Sequence, residues 1–405
     1  MTDPKSAVSD CTDDRACAYL RVKRGGNGMR FLTVFGTRPE AVKLAPVIAA
    51  LKAEPGLETL VCLTGQHREL VDSALAFFGI RADFDLDLMT PGQALNPLAA
   101  RLIERLDAIF AAAMPDRVIV QGDTSSALAA ALAAFHRGIP VAHVEAGLRT
   151  YRPGQPFPEE LNRRAIGLIA DLHFAPTRAA RDNLLAERLT GDVFVTGNTG
   201  VDALDMVLAR LAGEPDCADP PTGRKLVLVT AHRRESLDGA FGAICAALAR
   251  LAARDDVEIM FPLHPNPQLR ATAEAALGGC PNLRLLPPLD LPDFVRLMRR
   301  ADLVLTDSGG VQEEAVTLGR PLLVLREATE RPEGVEAGAA LRVGTDPARI
   351  VHAAETLLAA GASGRRSQLY GDGGAAARIV DGLLGRPVDE FARDWPRIEG
   401  LRRIG

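Results

Sequence analysis

Three acids stand where an α/β chain usually does its chemistry. Val118-Ile119-Val120 is an apolar run that stops at Gln121-Gly122-Asp123-Thr124; an alanine-rich helical segment follows, and a second apolar run, Ile139 to Val144, stops at Glu145. That pattern is a strand, a crossover helix and a parallel strand, with one acid at the carboxyl end of each strand. Ligands of an open parallel sheet lie in the crevice outside those ends, so Asp123 and Glu145 are expected to face one cleft. A third acid comes from Pro156-Phe157-Pro158-Glu159-Glu160, which reads as a loop feeding a helix with proline at its first position and two glutamates in its first turn. Each has a plainer reading: Glu159 complements the helix dipole, and Asp123 caps the helix after it. Glu145 ends a largely apolar strand without being an obvious cap.

Cations and glycines are placed to hold an anion. The first credible strand, Met29 to Phe35, ends in Gly36-Thr37-Arg38-Pro39-Glu40 and a helix follows through Leu51. A glycine turn there lets backbone N–H groups approach an anion, flanked by Arg38 and Lys43; the alternative is an ordinary turn with solvated cations. Lysine is rare, five against 42 arginines, which singles out Lys43. In the second half, Leu303 to Thr306 runs through Asp307-Ser308-Gly309-Gly310 into a helix, a geometry that suits a phosphate. Glu314, in that helix's opening turn, could accept from both hydroxyls of a ribose or simply complement the dipole. His232 and His264 follow two further strands over the same face, and Arg331 follows another. Neither GxGxxG nor GxxxxGK[ST] occurs, which counts against a dinucleotide oxidoreductase and a P-loop ATPase.

These side chains need two sheets to position them. At 405 residues the chain exceeds what one core usually serves. Residues 29–200 alternate strand and helix with long crossovers, 201–224 read as helix and connector, and a second alternating series begins at Lys225. The expectation is α/β: two Rossmann-like, doubly wound domains at 29–200 and 201–374 facing a cleft, with three carboxylates on the first and a nucleotide phosphate held mainly by the second. Residues 1–28 read as a disordered extension, or a start placed too early, and 385–405 as a polar tail. Composition is that of a globular protein, 47% hydrophobic and 24% charged. No run nears the roughly 18 apolar residues of a membrane helix. A net charge of −5 with no basic cluster argues against nucleic acid. Six scattered cysteines without a CxxC pair suggest neither zinc nor a disulfide framework. A cytoplasmic protein is expected. To this point a glycosyltransferase fits nearly as well as any other nucleotide-sugar enzyme.

Over residues 29–384 the motifs resemble the bacterial non-hydrolysing UDP-N-acetylglucosamine 2-epimerases. Gly36-Thr37-Arg38-Pro39-Glu40, Gln121-Gly122-Asp123-Thr124, His143 to Thr150, Pro158 to Arg163, His232 to Ser236, Asp307 to Glu314 and Thr329 to Glu333 occur in the family's order. The resemblance implies a GT-B-like fold, a homodimer, a last helix (375–384) crossing back to the first domain, and no cofactor or metal. It also implies interconversion of UDP-GlcNAc and UDP-ManNAc for surface polysaccharide, by elimination of UDP and its re-addition. By motif, Asp123, Glu145 and Glu159 match catalytic carboxylates and His232 a catalytic or phosphate-contacting histidine. Arg38, Lys43, Phe294, Ser308, Gly309, Gly310, Glu314 and Arg331 match UDP-binding residues. Leu289 stands where some relatives have glutamine, which leaves one uracil contact to the backbone. Gln66 and Gln93 resemble residues of an activator site, but Glu69 and Gly92 depart from its pattern.

Overall fold

The apolar runs become two parallel sheets. The first holds β1 (Arg30–Phe35), β2 (Glu58–Leu63), β3 (Phe84–Asp85), β4 (Arg117–Gln121), β5 (Val141–Val144), β6 (Leu172–Ala175) and β7 (Asp192–Val195), in the order β3-β2-β1-β4-β5-β6-β7. The second holds β8 (Lys225–Thr230), β9 (Val257–Pro262), β10 (Leu283–Leu286), β11 (Leu303–Thr306), β12 (Leu322–Val324) and β13 (Ala340–Arg342), in the order β10-β9-β8-β11-β12-β13. Every described strand pairing is parallel. The computed structural model describes residues 28–65, 68–88, 93–213, 223–231, 239–264, 266–361 and 365–391.

Helices cover both faces of each sheet, which is why the central strands read as unbroken apolar runs; all five residues of β4 are buried. The order reverses between β1 and β4 in one sheet and between β8 and β11 in the other. Each reversal opens a crevice at the strand carboxyl ends. Two details depart from the sequence reading. β3 is a two-residue edge strand too short to show a period, and β5 starts at Val141 because Pro140 before it has no N–H to give the ladder.

Two helices tie the sheets together. Thr199–Leu211 follows β7 and places Leu204, Val207 and Leu211 in a core beside the first sheet and Val201 in a core of the second. Ala375–Leu383 returns to the first sheet and buries Ile379, Val380 and Leu383. Its approach is close: a Cβ on Gly382 would lie 2.7 Å from the ring of Phe174 in β6. Among the described residues no helix is long and apolar enough to cross a membrane.

Candidate active site

The two reversals face each other across a cleft of about 530 Å³. Of the residues singled out in the sequence, Asp123, Glu145, Glu159, Arg38, Lys43, Phe294, Ser308, Gly309, Gly310, Glu314 and Arg331 all line it, as does His264. His232 and Gln66 lie outside the described residues. Gln93 is not part of the lining; its side-chain oxygen accepts from Arg101.

The β1 turn is built differently from a bare anion cradle. Thr37 caps the Arg38–Ala53 helix in a capping box, and Glu40 Oε2 accepts from the N–H of Gly36 at 3.0 Å and of Thr37 at 2.8 Å. The donors the sequence offered to a ligand anion are therefore used by an internal carboxylate. Glu40 Oε1 also accepts from Thr124 Oγ1 at 2.7 Å, tying the β1 turn to the β4 turn. What the turn presents to the cleft is Arg38, whose Nη1 donates to the Leu289 carbonyl across the cleft at 3.0 Å. Leu289 is the position at which the sequence reading left a uracil contact to the backbone.

Behind the turn lies a buried ionic cluster. Glu145 follows β5 with φ +62, a left-handed conformation that costs a residue with a side chain about 1–3 kcal/mol. Its Oε1 accepts from Lys43 Nζ, from Asn198 Nδ2 at 2.9 Å and from Arg331 Nη2 at 3.2 Å, and its Oε2 from Gln121 Nε2. Burial pushes the Glu145 carboxyl up, but the Lys43 and Arg331 charges and these hydrogen bonds outweigh it and hold it at about 2. Glu145 is therefore an ionised carboxylate clamped by cations.

Asp123 is not the cap of the helix after β4. Thr124 takes that part, accepting from Ala127 N at 3.0 Å, and Asp123 turns instead to Arg163 with a quarter of its side chain exposed. The turn is fixed from below: buried His143 donates through Nε2 to the Gly122 carbonyl at 2.7 Å, and burial lowers its pKa to about 3, so it stays neutral. Pro158 stands just before the Glu159–Ile169 helix rather than at its first position. The two glutamates then divide. Glu160 is fully buried and accepts from Thr150 N at 3.1 Å and Tyr151 N at 2.9 Å, while Glu159 lines the cleft.

On the opposite wall Ser308 precedes the Gly309–Thr317 helix, whose first turn lines the cleft. Gly309 is required by packing: a Cβ there would lie 2.4 Å from Arg331 Nη1, whereas one on Gly310 would meet nothing within 4 Å. Phe294, from the Leu291–Arg300 helix, adds an aromatic ring to the lining. Burial lifts the Glu314 carboxyl to about 7, with Lys43 and Arg38 pulling back less. Sequence reasoning missed Asn198, which follows β7 and caps the Thr199–Leu211 helix through Oδ1 while Nδ2 reaches Glu145. Its cap was legible from Asn at a helix start; the contact to Glu145, 53 positions away, was not.

Carboxylates, cations and a helix N-terminus between two Rossmann-like units define a nucleotide-sugar enzyme of GT-B-like architecture. The family model for UDP-N-acetylglucosamine 2-epimerase matches residues 49–384. The UDP-N-acetylglucosamine 2-epimerase of Escherichia coli K12 is 47% identical over 371 residues, 88% of this chain and 98% of the relative. That of Yersinia pestis is 46% identical over 374 residues, 89% of this chain and all of the relative. The crystal structure of the Neisseria meningitidis UDP-GlcNAc 2-epimerase bound to UDP-GlcNAc matches with TM-score 0.84 and 40% identity, covering 88% of this chain and 100% of that one. The Methanocaldococcus jannaschii enzyme in complex with UDP-GlcNAc and UDP matches at 0.80 with 31% identity, over 88% and 100%. The chain belongs to the UDP-N-acetylglucosamine 2-epimerase family, a family of isomerases.

Proposed function

We propose that the protein interconverts UDP-GlcNAc and UDP-ManNAc. In the forward direction the C2–H bond breaks, its proton passes to a carboxylate of the site and its electrons form the C1=C2 bond of 2-acetamidoglucal. The C1–O bond breaks with its electron pair leaving on the UDP oxygen. C2 is then protonated from the opposite face and the UDP oxygen re-adds at C1. Proton removal and return on two faces calls for more than one acid/base group, and a departing diphosphate calls for cations and helix N–H donors. The single observation that carries the reading is that Asp123, Glu145 and Glu159 line one cleft with Arg38, Lys43, Arg331 and the Ser308-Gly309-Gly310 turn.

In heavy water, with UDP-GlcNAc alone and neither nicotinamide nor divalent metal, the product is expected to be UDP-ManNAc carrying deuterium at C2. Unlabelled product would remove the elimination route, free ManNAc with UDP would mark a hydrolysing enzyme, and an acceptor requirement a glycosyltransferase. No turnover despite good UDP binding would point to a modified sugar, such as a 2,3-diacetamido uronic acid. The product is assigned to surface polysaccharide, checked by loss of ManNAc from the envelope glycans of a deletion strain.

The assembly we propose is a homodimer. Leu161 and Leu168, 60% and 73% exposed, lie seven residues apart on one face of the Glu159–Ile169 helix, with Phe157 just before it at 59%. Light scattering should give twice the chain mass; a monomer at micromolar concentration would overturn this.

A further inference from the structure

One carboxylate of the buried cluster has no part in the reaction as written above. Glu313, from the Gly309–Thr317 helix, is 2% exposed. Its Oε2 accepts from Lys43 Nζ at 3.0 Å, and its Oε1 from Asn198 Nδ2 at 2.9 Å and Arg331 Nε at 2.7 Å. The same three side chains donate to Glu145 Oε1. Two carboxylates, one beside each sheet, thus share one set of donors. Glu330 completes the balance, taking Arg331 Nη1 at 2.6 Å and Arg326 Nη1 at 2.8 Å, so three cations meet three carboxylates.

Asn198 has no freedom left in this arrangement. Its Oδ1 accepts from Gly200 N at 2.8 Å, which fixes the amide so that Nδ2 faces both carboxylates. We propose that Glu313 is a positioning residue for the reaction: by sharing Lys43, Arg331 and Asn198 with Glu145, it holds both cations at the reacting face and keeps them from closing wholly on Glu145. This rests on the epimerase reading. Without Glu313 the two cations have one fewer anion to divide between, and Glu145, paired to both, becomes a poorer acid/base group. Lys43 and Arg331 also lose one of the carboxylates that hold them beside the cleft, while Glu145 still pairs with both. The effect should fall on the chemical step more than on nucleotide binding, because Glu313 does not line the cleft and both cations keep Glu145 as a partner that holds them there.

The test compares E313Q and E313D with the wild type for kcat, KM, UDP affinity by calorimetry and the isotope effect with C2-deuterated UDP-GlcNAc. E313Q is expected to lose roughly 10- to 100-fold in kcat while UDP affinity stays within about threefold, with a larger isotope effect as proton removal becomes limiting. E313D, which keeps the charge, should recover part of the loss. Wild-type kcat in E313Q would overturn the assignment. So would loss of kcat and UDP affinity in step, with an unchanged isotope effect and no recovery in E313D, the pattern of a merely structural residue. Should E313Q fail to fold, Glu313→Asn is compared with E313D: a lower kcat and larger isotope effect in the uncharged variant, with UDP affinity alike in the two, supports the role, and equal kcat and isotope effect in the two overturns it. A wild type inert toward UDP-GlcNAc would overturn the epimerase reading and this assignment with it; an active wild type and a fully active E313Q would overturn this assignment alone.

Discussion

Glu313 and Glu314 are adjacent and identical in type, yet about 100° of helical rotation sends one into the ionic cluster and the other to the cleft wall. The same division separates Glu159 from Glu160. Glu314 carries a pH prediction because burial raises its carboxyl to about 7. A carboxylate accepts more strongly from ribose hydroxyls when it is ionised, so ligand binding of that kind favours the deprotonated form. Affinity for UDP-GlcNAc, whose diphosphate diester does not titrate in this range, should rise with pH up to about 7 and level off above it. At pH 6 it should be about tenfold weaker than at pH 8. Calorimetry across that range checks this, with E314Q expected to be flat; a flat wild-type profile would show that Glu314 does not accept from the ligand in its ionised form.

At the scale of elements, the turns matter more than the helices they start. The strand ends were legible because a parallel strand covered on both faces is an apolar run, and where the run stops the chain meets the cleft. What each turn does with its donors was not legible. The β1 turn satisfies its own N–H groups with Glu40, and only the three-dimensional capping box reveals it. The β11 turn differs, since its two glycines serve different ends. Gly309 makes room for the Arg331 guanidinium, which three carboxylates hold in place, and Gly310 leaves open space. Gly309→Ala should therefore cost about 1–3 kcal/mol of stability, whereas Gly310→Ala should cost little and act on ligand affinity instead. Thermal denaturation of the two variants decides it: equal stability would mean that Arg331 moves aside without resistance.

At the scale of the molecule, the alternation of strand and helix anticipated both sheets, while the joints between them depended on contacts across long separations. Asn198 meets Glu313 115 positions away, and Asp202 meets the last helix 174 positions away. Asp202 lies in the Thr199–Leu211 helix, 6% exposed, and its Oδ1 accepts from Ala376 N at 2.9 Å, giving the start of the Ala375–Leu383 helix an acceptor that its own sequence lacks. Its Oδ2 is buried with no hydrogen-bond partner among the described residues, and burial outweighs the backbone N–H bonds to lift the carboxyl from 3.8 to about 6. A raised pKa means that the folded chain holds this proton more tightly than the unfolded one. The contribution is fully present below about pH 4 and is lost as pH rises through about 6, amounting to about 3 kcal/mol between those limits. Asp202→Asn keeps the acceptor and cannot ionise. Its buried amide adds a constant offset, so the informative quantity is the stability gap to the wild type as a function of pH. That gap should move in favour of the variant as pH rises, most steeply near pH 5, about midway between the unfolded and folded values, and should level off above about pH 7. Denaturant titrations at several pH values would show it, and a gap independent of pH would mean that Asp202 ionises in the folded chain as freely as in the unfolded one.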